Sequence, residues 1–201
     1  MGLSLRGQHQ AVINAQKGEE ILVTLRNIQL GSYTSEGRIV VYGPEMAVIA
    51  DEVCGVNQSI DYTFTAARTG PYVVLASAGS GVPNAFTLRI AGAPWVFSGE
   101  GLAVNKSGGR VYFWVAARTK PLEVVLSGAG KETVTYTLYG PDGQPVLHRE
   151  GVGTNQVHEI DVRGQSGIWT LEAKDIVDDG SFMVTGVERF ALDPAHVVVD
   201  R

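Results

Sequence analysis

The sequence contains a single cysteine, Cys54, and no long uninterrupted apolar segment. One thiol cannot form a disulfide within the chain, and a lone cysteine between Val53 and Gly55 is more typical of a small core residue than of a reactive group. No apolar run approaches the ~20 residues that span a bilayer, and the first ten residues lack the hydrophobic core of a signal peptide. These absences predict a chain without a disulfide framework and without membrane insertion.

The chain also lacks an excess of basic residues. It has 16 lysines and arginines against 21 aspartates and glutamates, which gives a net charge of −5 over 201 residues. A nucleic-acid partner requires clustered lysine and arginine to neutralise its phosphates, so none is predicted. The apolar fraction of 44% is sufficient for packed cores, and the 25 glycines indicate many turns.

No segment shows the 3.6-residue periodicity of an amphipathic helix. Apolar residues instead recur every second position, as in "EILVTLR" around Val23 and "TVTYTLY" around Tyr136. The segments are short, rich in Val, Thr, Ile and Tyr, and interrupted every ~8–12 residues by Gly, Pro, Asn or Asp. This pattern predicts an all-β protein built from antiparallel strands.

A turn motif occurs twice, as "VYGPEMAVI" and as "LYGPDGQPV" nearly one hundred residues later. Superposing Tyr42-Gly43-Pro44 on Tyr139-Gly140-Pro141 brings the flanking segments into correspondence. The resulting pairs are Ile21 with Leu122, Val23 with Val124, Leu25 with Leu126, Tyr62 with Ile160, Phe64 with Val162, Gly70 with Gly167 and Tyr72 with Trp169. The sequence therefore predicts two tandem copies of one domain.

Strands this short cannot bury a face alone, so each copy is expected to fold as two sheets packed face to face. We predict two tandem antiparallel β-sandwich domains of jelly-roll-like build. The first spans residues 1–93, a linker or packing segment spans 94–109, and the second, with a C-terminal extension, spans 110–201. Trp95, Val96 and Phe97 in the middle segment are too apolar to be left in water, so we expect them to pack between the domains or to begin the second sheet.

Both copies resemble the bacterial pre-peptidase C-terminal domain, a jelly-roll-like sandwich appended to secreted enzymes. The likeness is carried by "VVYGP" and "IDYTFTAARTGPYVVLAS" in the first copy and by "YTLYGPDGQPV" and "HEIDVRGQSGIWTLEA" in the second. The second copy departs from the family pattern at Ile160 and Val162, where aromatic residues are usual. The resemblance implies an extracytoplasmic accessory module, secreted or at the cell surface, beside the neighbouring domains of a longer protein.

The segment "RVYFWVA" is the clearest candidate for ligand binding. Alternation places Val111, Phe113 and Val115 inward, which turns Tyr112 and Trp114 outward, and outward aromatic residues on a sheet are suited to stacking sugar rings or gripping a partner. The alternative is that the linker or the neighbouring sandwich covers Trp114. A second candidate is the loop "KDIVDDGSF", where Asp175, Asp178 and Asp179 could supply oxygen ligands to calcium, or could form an ordinary acidic turn.

Motifs for catalysis are poorly matched, so no enzymatic activity and no cofactor beyond a possible calcium ion are predicted. The four histidines are scattered along the chain, and the carboxylates of Glu159 and Asp161 would share one face of a strand instead of flanking a cleft. The main hypothesis is a non-catalytic accessory module that binds polysaccharide or an extracellular protein, or spaces a neighbouring domain. The alternatives are a purely structural β-sandwich pair and a hydrolase with an unrecognised site.

Overall fold

The computed structural model describes residues 3–79, 84–117, 120–162 and 164–197. These residues form two compact units, Met1–Ser98 and Gly99–Arg201. Strands make up most of the described residues, and the only helical element among them is a short 3₁₀ turn, Pro194–His196, near the end of the second unit. No helix among the described residues is long and apolar enough to cross a membrane.

The first unit is a sandwich of two antiparallel sheets. One sheet has the order β1-β8-β3-β6, and the other has the order β9-β2-β7-β4-β5. The strands are β1 (Ser4–Arg6), β2 (Gln8–Ala15), β3 (Glu20–Ile28), β4 (Gly37–Tyr42), β5 (Val48–Cys54), β6 (Ser59–Thr65), β7 (Gly70–Ser77), β8 (Ala85–Ala91) and β9 (Trp95–Ser98).

The second unit repeats this arrangement. Its sheets have the orders β10-β17-β12-β15 and β11-β16-β13-β14, and β18 lies beside β11, where Tyr112 and Ala191 exchange backbone hydrogen bonds of 2.8 Å. The strands are β10 (Gly101–Asn105), β11 (Gly109–Val115), β12 (Leu122–Gly128), β13 (Val134–Tyr139), β14 (Pro145–Val152), β15 (Gln156–Ile160), β16 (Gly167–Lys174), β17 (Asp179–Val184) and β18 (Arg189–Phe190).

Both strand orders are those of a jelly roll, in which eight strands form two four-stranded sheets, here with a ninth strand added. The predicted fold class, two tandem antiparallel β-sandwiches of jelly-roll-like build, is therefore confirmed. The residues predicted to point inward form the two cores. Ile21, Val23 and Leu25 are fully buried in the first unit, as are Leu122, Val124 and Leu126 in the second.

The segment 94–109, interpreted from the sequence as a linker or packing segment, contains two strands. Trp95, Val96 and Phe97 belong to β9, which pairs with β2 of the first unit, and all three side chains are buried. The expectation that they pack between the domains or begin the second sheet stays a prediction. After them, β10 pairs with β17 in the second unit.

Equivalent core positions of the two units have exchanged large and small residues. Leu25 lies opposite Leu88 and Leu126 lies opposite Phe182, so that Phe86 and Gly180, two positions earlier, are equivalent. The ring of Phe86 is fully buried in the first unit. In the second unit a β-carbon added to Gly180 would lie 2.8 Å from the hydroxyl of Tyr136, a residue whose equivalent is Ile39. One large side chain thus fills this space in each unit, but it comes from a different strand.

Cys54 is buried, as expected of a core residue. It lies opposite Gly37, whereas the equivalent pair of the second unit is Val134 and Val152. A β-carbon on Gly37 would approach the Cys54 sulfur to 2.9 Å. The Cys54 thiol therefore occupies space that the Val134 side chain fills in the second unit. Burial raises the pKa of the Cys54 thiol, which keeps it in its uncharged, unreactive form.

Candidate functional site

The outward surface of the sheet β11-β16-β13-β14 contains the predicted aromatic pair, and we call this surface the platform face. Val111, Phe113 and Val115 of β11 are buried, while Tyr112 and Trp114 between them are half-buried and point away from the core. The equivalent residues of the first unit are Val12 and Asn14. The aromatic pair is therefore particular to the second unit.

A third ring, Tyr139, lies level with Tyr112 on the platform face. Thr170 is opposite Tyr112 on one side and opposite Tyr139 on the other, so the two tyrosines are two strands apart. At the usual strand spacing their α-carbons are separated by roughly 10 Å. Trp114 lies one step further along β11, opposite Ile168. The platform face thus presents three aromatic side chains around a half-buried threonine.

A buried carboxylate, Glu172, is fixed beside these rings. Its oxygens accept hydrogen bonds from Arg110 Nε at 2.9 Å, Lys174 Nζ at 2.9 Å and Tyr139 Oη at 3.0 Å. The Arg110 guanidinium also lies over the Tyr139 ring, 5.6 Å from its centroid. This network holds two cations and one ring in place on the platform face, although the sequence analysis gave it no role.

Glu172 should make the stability of the protein depend on pH. Desolvation raises the pKa of Glu172, but the hydrogen bonds from Lys174, Arg110 and Tyr139 outweigh it, so the net pKa lies below the ordinary value. A carboxylate with a depressed folded-state pKa stabilises the protein above its unfolded-state pKa of about 4.3, and this contribution is lost as the pH falls through the folded-state value.

We therefore expect Glu172→Gln to lower the free energy of unfolding by about 1–2 kcal/mol at pH 7. The cost is limited because Arg110 and Lys174 are exposed enough to regain water. The difference from the parent protein should shrink as the pH falls from about 5 to about 3. Urea unfolding across this range measures it, with Glu150→Gln, an exposed position on the edge strand β14 of the same sheet, as the control. A difference that stays constant with pH would contradict this assignment.

The predicted calcium loop has a protein partner at its centre. The side-chain amide of Asn105, itself buried, donates to Asp178 Oδ1 at 3.0 Å, to Asp179 Oδ1 at 2.7 Å and to the backbone carbonyl of Asp178 at 2.7 Å. Asp175 is exposed, with a left-handed backbone φ of 49°. Within the described ranges no group of three or more His, Cys, Asp or Glu side chains is placed to hold a metal ion. A calcium site formed by these three aspartates stays a prediction.

A groove in the first unit was not expected from the sequence. It has a volume of about 350 Å³ and is bounded by the β4–β5 turn, by strand β6 and by the loop before β7. Tyr62, Phe64 and Tyr72 form a row of rings along it, with centroid separations of 6.0 Å and 5.3 Å. No role in binding was predicted for Phe64 or Tyr72. The signal that could have indicated a groove was the presence of aromatic residues, Tyr62 and Phe64, on consecutive inward positions of an edge strand.

The second unit does not repeat these rings. Phe64 lies opposite Ile21 in the first unit, and Ile160 lies opposite Leu122, so Ile160 is the equivalent of Phe64. Tyr62 is in the same way equivalent to His158. The sequence alignment, which paired Tyr62 with Ile160 and Phe64 with Val162, was therefore wrong by two residues here. The shift keeps each residue on the same face, which is why the alternating pattern did not reveal it.

Comparisons with known proteins give a resemblance to solved structures but not to sequence families. No family model and no curated protein matches this chain. Among solved structures, the chain is similar to the N-terminal CBM22-1-CBM22-2 tandem domain of Paenibacillus barcinonensis Xyn10C, with 9% sequence identity, coverage of 94% of this chain and 86% of that chain, and a TM-score of 0.32.

Proposed function

We propose that this chain is a non-catalytic tandem β-sandwich module of an extracytoplasmic protein, and that its second unit binds polysaccharide on the platform face. The observation that carries the proposal is the combination of Tyr112, Trp114 and Tyr139 with the fixed ions of the Arg110–Glu172–Lys174 network on one face of a sheet. Aromatic rings stack against the apolar faces of sugars, while the neighbouring charged and hydroxyl groups bond to the sugar hydroxyls.

The state of Glu172 favours binding over catalysis. A general acid in glycoside hydrolysis needs a raised pKa and a second carboxylate across a cleft. Glu172 has instead a depressed pKa, and its oxygens are occupied by Arg110, Lys174 and Tyr139. In this arrangement the carboxylate positions its neighbours and is poorly suited to transferring a proton.

The resemblance to the pre-peptidase C-terminal domain supports the accessory role and the extracytoplasmic location. In that family such sandwiches accompany secreted hydrolases, and some bind polysaccharide or protein fibres. We therefore propose that this chain holds a neighbouring domain of a longer protein close to its substrate.

The proposal predicts that soluble polysaccharides quench the tryptophan fluorescence of the chain in a saturable manner. In affinity gel electrophoresis, which does not depend on a fluorescent reporter, Trp114→Ala should weaken binding at least tenfold, equivalent to about 1.4 kcal/mol. Tyr112→Ala should weaken it to a similar degree. Asn14→Ala, the equivalent position in the first unit, is the matched control and should leave binding unchanged.

The panel should contain neutral, acidic and amino polysaccharides, because the platform face carries both rings and charges of both signs. Flat titrations and unretarded migration across the whole panel would contradict polysaccharide binding. Equal retardation of Trp114→Ala and of the parent chain would show that any binding occurs elsewhere.

A further inference from the structure

We infer that the groove of the first unit binds an extended peptide of a partner protein, in which apolar and basic residues alternate, and that this peptide pairs with strand β6. The inference is independent of the platform face, which lies in the second unit. It depends on the chemistry of the groove walls, on the open edge of β6 and on the charges at the rim.

The polar atoms of the groove walls are already bonded to the protein. The Tyr62 hydroxyl donates to the backbone carbonyl of Ile49 at 3.2 Å, and the Tyr72 hydroxyl donates to the carbonyl of Arg68 at 3.0 Å. The Arg68 side chain forms an ion pair with Glu45. A sugar would therefore find few free hydrogen-bonding partners, whereas an apolar side chain would gain contact with three rings. The volume of about 350 Å³ is at the small end of the range for ligand pockets.

A β-bulge adds to the apolar character of the groove. Tyr42 lies opposite Val48 and Val41 lies opposite Ala50, so Ile49 is an extra residue between the two pairs. Bulges redirect side chains, and here the bulged residue lines the groove while 42% exposed. Met46 and Val48 on the same hairpin are 61% and 58% exposed. Exposed apolar side chains that adjoin an apolar groove are typical of a binding surface.

Strand β6 can accept a further strand. It is the terminal strand of its sheet in the first unit, pairing with β3 on one side and with no strand on the other among the described residues. Its sequence, "SIDYTFT", contains neither the proline nor the lysine that commonly protects an edge. An extended peptide added there would direct every second side chain toward Tyr62 and Phe64, which is the usual geometry of strand addition.

The charges at the rim of the groove determine which side chains are favoured at the outward positions of the peptide. Arg68, the arginine that lines the groove, is paired with Glu45. Two exposed carboxylates, Glu52 on β5 and Asp61 on β6, have no cationic partner in the described part of the unit, and Asp61 accepts only the hydroxyl of Thr24. These two carboxylates complement basic side chains on the outward positions of the peptide.

A labelled synthetic octapeptide that alternates valine with lysine tests this inference by fluorescence anisotropy with the full chain. We expect saturable binding that weakens at least tenfold when glutamate replaces lysine, and at least tenfold when alternate peptide nitrogens on the pairing edge are methylated. The peptide should also slow hydrogen exchange of the β6 amides. Failure to saturate at millimolar peptide, or equal binding of the methylated or glutamate peptide, would overturn the inference.

Substitutions separate the groove from the platform face. Ala67 lines the groove and is exposed, so Ala67→Trp fills the groove without disturbing the core and should weaken peptide binding at least tenfold. Ala47→Trp does the same from the opposite wall, should the first variant fail to fold. Glu52→Gln combined with Asp61→Asn should weaken binding about threefold and reduce its dependence on salt. Trp114→Ala should have no effect on peptide binding.

Two other results would also overturn the inference. Displacement of the peptide by a soluble oligosaccharide would show that the groove is a sugar site. A concentration-dependent dimer that Ala67→Trp abolishes would show that the occupant is a second copy of this chain. Loss of polysaccharide binding in Trp114→Ala with peptide binding retained would separate the two proposals.

Discussion

Gly180→Phe is expected to prevent the second unit from folding. A β-carbon at this position would already lie 2.5 Å from Cγ2 of Val134 and 2.8 Å from the Tyr136 hydroxyl, both of which are fully buried side chains. A whole ring cannot be accommodated there, so the cost should exceed about 4 kcal/mol, a large part of the stability of a domain of this size. Urea unfolding followed by far-ultraviolet circular dichroism would measure the loss.

The first unit shows how the same ring can be accommodated. Phe86 is fully buried there, and the equivalents of Val134 and Tyr136 are the smaller residues Gly37 and Ile39. Adding Val134→Gly and Tyr136→Ile to Gly180→Phe should therefore recover at least about 2 kcal/mol, because contacting residues couple by up to about 3 kcal/mol. Ser181→Phe, which places a ring on the opposite face of β17, is the matched control. A triple variant no more stable than Gly180→Phe alone would show that the two cores are not interchangeable.

Gly92→Ala should be nearly as damaging, for a different reason. Gly92 follows β8 with a backbone φ of 100°, and an added β-carbon would lie 2.0 Å from the carbonyl oxygen of Glu20. That oxygen belongs to the backbone of β3 and cannot turn away. We expect a loss of at least about 3 kcal/mol, made up of the left-handed conformation and the displacement of β3.

Gly18→Ala provides a closely matched comparison in the same unit. Its φ is 91°, but nothing lies within 4 Å of the added β-carbon. Gly18→Ala should lower the free energy of unfolding only by the cost of placing alanine in a left-handed backbone conformation, about 1–2 kcal/mol. Thermal and urea unfolding of the two variants separate the contact with Glu20 from the backbone preference. Equal losses in the two would contradict the close approach of β8 and β3.

The alternation of apolar and polar residues predicted correctly which side chains of a strand point inward, because successive side chains of any strand point to opposite faces. Val111, Phe113 and Val115 are buried while Tyr112 and Trp114 are not, as the sequence required. Alternation does not determine which residue of a neighbouring strand lies opposite. The two-residue error, which paired Phe64 with Val162 instead of Ile160, arose at this step, because the turns flanking β15 differ in length from those flanking β6.

The groove and the Glu172 network depend on contacts between distant parts of the chain, and these are not visible in a local pattern. Phe64 and Tyr72 belong to different sheets of the first unit, and Ile49 reaches them only because of a bulge. Glu172 becomes buried because Arg110 and Tyr139, from the two strands that flank β16, close around it. The sequence shows each residue as an ordinary strand position, and their partners follow from the strand order.

The strand order also has a consequence for how the chain is made. Within the first unit, β1 pairs with β8. Leu5 can form its native pairing only after Phe86, about 80 residues later in the sequence, has been synthesised. In the second unit, Leu102 and its partner Phe182 are separated by a similar number of residues along the sequence. Closure over such distances is slow, but the nascent first copy is complete before the last strands of the second have left the ribosome. Successive synthesis thus limits mispairing between equivalent strands of the two units.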